Sequence, residues 1–172
     1  MTTIVLERPG VLAYAKDSTA RDPGPGEALV RVRAVGVCGT DFHAFGGRQP
    51  FFTYPRILGH EVSVEVVQLG AGVSGIRPGD RCAIEPYVEC GACIACRRGR
   101  PNCCERLSVL GVHADGGMRE HFVVPARKLH RSVRLDAGQL ALVETLGIGA
   151  HAVARAQLSA TDTVLVVGSG PI

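Results

Sequence analysis

The sequence predicts a mainly β chain with some helix towards its C-terminal end, the strands wrapped into a closed or nearly closed barrel. Three observations carry this reading. Short runs of alternating apolar and polar residues recur through the first two-thirds of the chain. Gly- and Pro-rich turns separate them, as barrels of many short strands require. After Asp136 the alternation gives way to helical spacing and then to one wholly apolar run.

In chain order, Leu29 to Val35 alternates Val30, Val32 and Ala34 against Arg31 and Arg33, which predicts a half-buried strand. Val62, Val64 and Val66 alternate in the same way against Ser63 and Glu65. Arg77-Pro78-Gly79-Asp80 is a turn leading into a short strand at Cys82 to Ile84, where Cys82 serves as a small buried apolar residue. Asp115-Gly116-Gly117 is a second turn, before a strand from Met118 to Val124. Leu140, Leu142, Val143 and Leu146 predict one helix and Gly149 to Gln157 another. Thr163 to Val167 is apolar apart from its first residue, the pattern of a strand buried on both faces in a parallel sheet.

With 172 residues the chain is one domain, or one domain and the start of another. A hydrophobic content of 46% with 20% charged residues excludes a disordered chain. The net charge of +3 comes with neither a basic stripe nor aromatic interleaving, so a nucleic-acid partner is not expected. The N-terminus lacks the features of a signal peptide, and Leu140 to Ala154 is too short and too interrupted to span a bilayer. A cytoplasmic protein without a membrane partner is expected.

Seven cysteines in such a chain point to metal rather than disulfides. Cys90, Cys93, Cys96 and Cys104 are spaced Cys-x2-Cys-x2-Cys-x7-Cys, and two-residue spacers let a turning backbone aim successive sulfurs at one point. Four thiolates suit a closed structural zinc site, although an iron–sulfur cluster takes the same ligands. Arg97, Arg98, Arg100 and Arg106 lie beside them. They either offset the formal charge of a four-thiolate centre or form a solvated loop face.

A second group is scattered: Cys38 in a turn after a strand, His60 and Glu61 opening another strand, and Glu144 in an otherwise apolar helical run. Each is weak singly. Glu144 stands out, because a carboxylate in that setting needs a partner. Taken together the motifs resemble the zinc-dependent medium-chain dehydrogenases, the alcohol and polyol dehydrogenase family, over nearly the whole chain. The residues that carry the resemblance run from Gly36 to His43 (GVCGTDFH), from Pro55 to Glu61 (PRILGHE) and from Gly79 to Arg81, then through the four-cysteine lobe to Gly168-Ser169-Gly170-Pro171.

That resemblance implies a GroES-like catalytic domain over 1–157 with a zinc lobe at about 86–106, followed at 158–172 by the first strand of a Rossmann coenzyme domain. It implies two zinc ions per chain, the structural one on the four cysteines and a catalytic one at Cys38 and His60. Glu61 would lie beside that metal, as an alternating ligand or as a support to the ligands, and Glu144 would supply a carboxylate directly or through water. Asp41 would orient the ligating histidine, Thr40 would take the substrate proton and His43 would pass it to solvent. The implied reaction moves hydride from a secondary alcohol, such as a polyol, sugar or sugar acid, to NAD or NADP. The full-length protein would be a homo-oligomer, as the family commonly is. Gly168 and Gly170 begin a G-x-G-x-x-G fingerprint whose remaining parts lie past Ile172. A fragment that binds zinc without nicotinamide-dependent turnover is therefore expected. Two departures stand out: Thr145 occupies a position where the polyol branch carries proline, and Cys103 adjoins Cys104. The alternatives are a threonine-dehydrogenase-like enzyme and a non-enzymatic, zinc-stabilised β-barrel module.

Overall fold

The computed structural model describes residues 2–16, 20–168 and 170. Thr2–Arg8 (β1) and Val11–Lys16 (β2) form an antiparallel hairpin, turning at Gly10 with φ +77°. Glu27–Gly36 (β3), Glu61–Leu69 (β4) and Arg81–Ile84 (β5) follow, then the short pair Tyr87–Val88 (β6) and Ser108–Val109 (β7). His121–Pro125 (β8) and Leu129–Arg131 (β9) complete the strands. The main sheet is antiparallel with the order β8-β3-β4-β5-β9. Single bridges from Thr3 to Arg119 and from Leu6 to Arg56 dock the hairpin beside it. Among the described residues β8 and β9 do not pair with each other, so the wall is not closed by a continuous ladder.

Val30, Val62, Val64, Val66, Cys82, Ile84, Phe122 and Val124 pack into one cluster on the inner face of that sheet. The alternation predicted for β3 is present, with Val30 buried and Arg31 and Arg33 exposed. In β4 the expectation that Ser63 faces water is corrected. Ser63 is fully buried, because Ala137–Ala141 (α3) packs against β3, β4 and β5 and brings buried Leu140 and Ala141 with it. Cys82 is fully buried as expected, and burial pushes its thiol up to about 11. Replacing Ile84, 2% exposed in this cluster, with alanine is expected to cost about 2–5 kcal/mol, read as a lowered urea midpoint with an unchanged slope.

The helices differ from expectation in where they break. Asp136 caps α3, accepting the Gln139 N–H at 2.8 Å while the Gln139 side chain accepts the Asp136 N–H. A single residue, Leu142, separates α3 from Val143–Ala156 (α4), which runs unbroken through Gly147 and Gly149. A glycine inside a helix costs about 1 kcal/mol and does not end it. The end comes at Gln157, whose φ of 52° is left-handed. The expected strand at 163–167 makes no ladder, and Val164 to Val167 are 54–89% exposed. A strand exists only against a neighbour, and no described segment lies alongside. Gly168 takes φ +97°, whereas Ser169, Pro171 and Ile172 of the fingerprint lie outside the described residues.

Candidate metal centres

The four-cysteine lobe is assembled by short local structures. Cys90 follows β6, Cys93 precedes the one-turn helix Ile94–Arg97 (α2), Cys96 lies within it, and Cys104 leaves the 3-10 turn Pro101–Cys103. Their four sulfurs all lie within 4.8 Å of one another. Cys93 and Cys96 are 3.5 Å apart, and Cys90 and Cys96 are 4.0 Å apart. Zn–S bonds of about 2.3 Å in a tetrahedron put sulfurs about 3.8 Å apart, so the quartet fits one ion. A four-iron cluster, which interposes two irons between any pair of thiolates, needs them wider. Backbone N–H groups are aimed at the sulfurs: Cys93 donates to Cys90 at 3.4 Å, and Cys90 and Arg106 donate to Cys104 at 3.3 Å each. Donation from the backbone of Ala92 and Cys93 brings the Cys90 thiol down to about 6. Cys104 is in the quartet, and Cys103 is exposed beside it.

Of the four arginines, Arg106 is held charged by the Cys90 sulfur it bonds. Arg97 instead donates to the Ala92 carbonyl, and Arg98 and Arg100 are exposed. Charge offset thus describes Arg106, and a solvated loop face describes Arg98 and Arg100.

The second group comes from distant parts of the chain. Cys38 caps Gly39–Phe45 (α1), its extended backbone turning into the helix while its N–H donates to Asp41 Oδ2 at 2.9 Å. Antiparallel pairing of β3 with β4 sets Gly36 opposite Glu61, so the end of one strand delivers Cys38 where the start of the other delivers His60 and Glu61. Ligand atoms of Cys38, His60 and Glu61 lie within 4.8 Å of one another, and the three residues are 7%, 6% and 4% exposed. His60 Nδ1 and Asp41 Oδ1 face each other at 3.8 Å, beyond hydrogen-bond range, and both are buried without a partner. Burial pushes the Asp41 carboxyl up, against the opposing pull of the Cys38 N–H and His60. A thiol, an imidazole and a carboxylate converging in a buried place are a donor set that zinc accepts with a coordination position left over.

Glu144 is outside that trio. It lies in the first turn of α4, where its Oε1 accepts the Tyr87 hydroxyl at 2.5 Å. Burial and this carboxylate push the Tyr87 phenol up, so it remains a donor. Thr145, the next residue, donates its hydroxyl to Glu61 Oε1 at 3.0 Å. Gly36 leaves room for the other oxygen, since a Cβ there would sit 2.1 Å from Glu61 Oε2. A cavity of about 640 Å³ is lined by Tyr87, Glu144, Ile148 and His151 among others, and by none of Cys38, His60 and Glu61. Thr40 is half-buried and His43 exposed, both on α1, the helix that Cys38 caps. Gly168 and Gly170 are exposed, and neither is among the residues grouped at the two cysteine-containing centres. Sequence reasoning assigned no part to Tyr87 and saw in Thr145 only a missing proline. The isolated hydroxyl beside an acidic residue was the available signal for Thr145, and Tyr87 carried none.

Residues 24–134 match the alcohol dehydrogenase GroES-like domain. The chain is 46% identical over 172 residues to L-galactonate-5-dehydrogenase of Escherichia coli (strain K12), covering all of this chain and 50% of that protein. It is 38% identical over 176 residues to L-threonine 3-dehydrogenase of Pyrococcus horikoshii, again covering all of this chain and 50% of the relative. A solved structure from E. coli CFT073, described as a short chain alcohol dehydrogenase (rspB) complexed with NADH, superposes with a TM-score of 0.87 at 37% identity, covering 95% of this chain and 48% of that one. The chain spans about half the length of the curated relatives it matches. A GroES-like domain matched over most of the chain, together with this buried thiol–imidazole–carboxylate group, establishes that the chain belongs to the zinc-dependent medium-chain dehydrogenase family.

Proposed function

We propose that this chain is the catalytic part of a zinc-dependent NAD(P) dehydrogenase acting on a secondary alcohol of a polyol, sugar or sugar acid. The observation that carries the reading is the convergence of Cys38, His60 and Glu61 in a buried place. Residues 1–157 form the GroES-like domain and 158–172 open the coenzyme domain. The whole protein works in the cytoplasm as a homo-oligomer, on a small-molecule substrate.

Cys38, His60 and one carboxylate, Glu61 or Glu144, hold the catalytic zinc, and the four lobe cysteines hold the structural one. When bound, the catalytic ion supplies a Lewis acid that lowers the pKa of an alcohol, and the nicotinamide supplies the hydride acceptor. Asp41, whose Oδ1 faces His60 Nδ1 at 3.8 Å, would orient the imidazole once the two close to hydrogen-bond distance. Thr40 accepts a substrate proton while donating its own, and His43, exposed on the same helix, releases it to solvent. Glu144 faces the cavity and can meet a substrate that brings more than one hydroxyl.

A carboxylate in place of a second thiolate leaves the ion a harder Lewis acid, which favours vicinal hydroxyls over a lone one. The name of the galactonate relative agrees with this; the threonine relative, less similar, carries the second reading. The full-length enzyme is expected to oxidise sugar acids or polyols with kcat/KM at least about tenfold above simple monoalcohols, or about 1.4 kcal/mol in the barrier. Equal rates on both classes would refute the polyol reading, and preferential oxidation of L-threonine would favour the second.

A further inference from the structure

We infer that two hydroxyls sort the two candidate carboxylates: Thr145 latches Glu61 into the Cys38–His60 group, and Tyr87 holds Glu144 out of it. The inference rests on the metal-site reading above and specifies which carboxylate completes it. Glu144 and Thr145 are adjacent in the first turn of α4, yet their side chains go to different partners. Glu144 is tied to Tyr87 at 2.5 Å, on the strand that leads into the cysteine lobe. Thr145 crosses to Glu61 Oε1 at 3.0 Å, on the strand that carries His60 at its entrance. The remaining Glu61 oxygen lies in the space that Gly36 leaves vacant.

The physical case is one of directed donation. A carboxylate offers two oxygens, and a donor on one of them fixes the rotation of the group and so the aim of the other. Glu61 is 4% exposed and takes a hydrogen bond from the Thr145 hydroxyl, which sets its pose. A proline at position 145 has no hydroxyl and cannot make this bond. With Glu61 so held and Glu144 bonded elsewhere, the chain presents one thiolate, one imidazole and one carboxylate, and keeps Glu144 in reserve on the cavity wall. Thr145 and Tyr87 are positioning residues in this account, acting through Glu61 and Glu144.

The test uses Co²⁺ as the probe, loaded into the chain and into Cys38→Ser, because the difference between the two visible spectra isolates the second site from the lobe. Thr145→Val is expected to shift the difference bands and weaken Co²⁺ binding at that site by about 10-fold or more, the range seen when a residue supporting a ligand is lost. Thr145→Ser, which keeps the hydroxyl, restores both readouts. Adding Tyr87→Phe to Thr145→Val frees Glu144 and recovers affinity with a spectrum unlike the original. The lobe's own bands report that each variant is folded. Should Thr145→Val lose them, Gly36→Ala displaces the same carboxylate from the other side and is expected to give the same spectral shift. An unchanged difference spectrum and affinity in Thr145→Val, or in Gly36→Ala where that variant stands in, overturns the inference. No difference at all between the parent chain and Cys38→Ser would instead refute the second metal site.

Discussion

Cys38→Ser is expected to remove one of two zinc ions from the purified chain and leave the other in place. Cys38 is the only thiol of its group, and the whole group is buried, so its loss leaves an imidazole and a carboxylate with a poor oxygen donor between them. Zinc affinity rests heavily on thiolate, and a serine hydroxyl remains protonated near neutral pH. The lobe draws its ligands from residues 90–104 and shares none of them with Cys38, so its ion stays. Metal analysis of the two proteins measures this directly, with two zincs expected for the parent and one for the variant. If the full-length protein is the dehydrogenase proposed above, the same substitution is expected to lower its turnover by at least about 10³-fold, or about 4 kcal/mol. A parent chain that carries a single zinc, unaffected by Cys38→Ser, would support the non-enzymatic module instead.

Cys96→Ser is expected to act on structure. Between residues 90 and 106 only Cys93 and Cys104 are buried, and Ile94 is 50% exposed, so no apolar core holds this segment. Its shape depends on four sulfurs being tied together, and structural zinc contributes about 10–16 kcal/mol in small peptides that fold around it. Without that tie the one-turn helix and the 3-10 turn have too few bonds to persist. Trypsin reads the result, because Arg97 and Arg98 are already exposed and lack only a mobile backbone to be cut, whereas Pro101 protects the bond after Arg100. The variant, or the parent treated with a chelator, is expected to be nicked after Arg97 or Arg98 at least about tenfold faster, while the β3–β5 core survives as a protected fragment. Equal cleavage rates would show that the lobe holds its shape without metal. Its opening also loosens Tyr87, three residues before Cys90, and with it the bond to Glu144.

Much of this architecture is written locally. The periods of β3 and β4, the turn at Arg77 to Asp80 and the spacing of the four cysteines depend on residues close in sequence, and each was legible there. Ser63 was not, because its burial comes from α3, more than seventy residues later. The helix break at Leu142 was missed because glycine is a weak breaker and the competing packing of α3 on the sheet is not a local property. The run at 163–167 shows the converse case: the strand pattern is present, but the ladder partners that would realise it are not among the described residues.

The candidate catalytic group divides in the same way. By itself the sequence supplied the donor types, the family motifs around Cys38 and His60, and Asp41 three residues after Cys38, a spacing that a helix start turns into a backbone bond. Only the tertiary structure brings Glu61 into one buried group with Cys38 and His60. Glu61 reaches the group because β3 and β4 pair in one register, and Thr145 reaches Glu61 across 84 positions because α4 packs against β4. Glu144, the carboxylate most conspicuous in the sequence, goes to Tyr87 instead. Spacing along a chain can announce which atoms are available. Which of them meet is settled by strand register and helix packing, interactions between residues far apart in sequence.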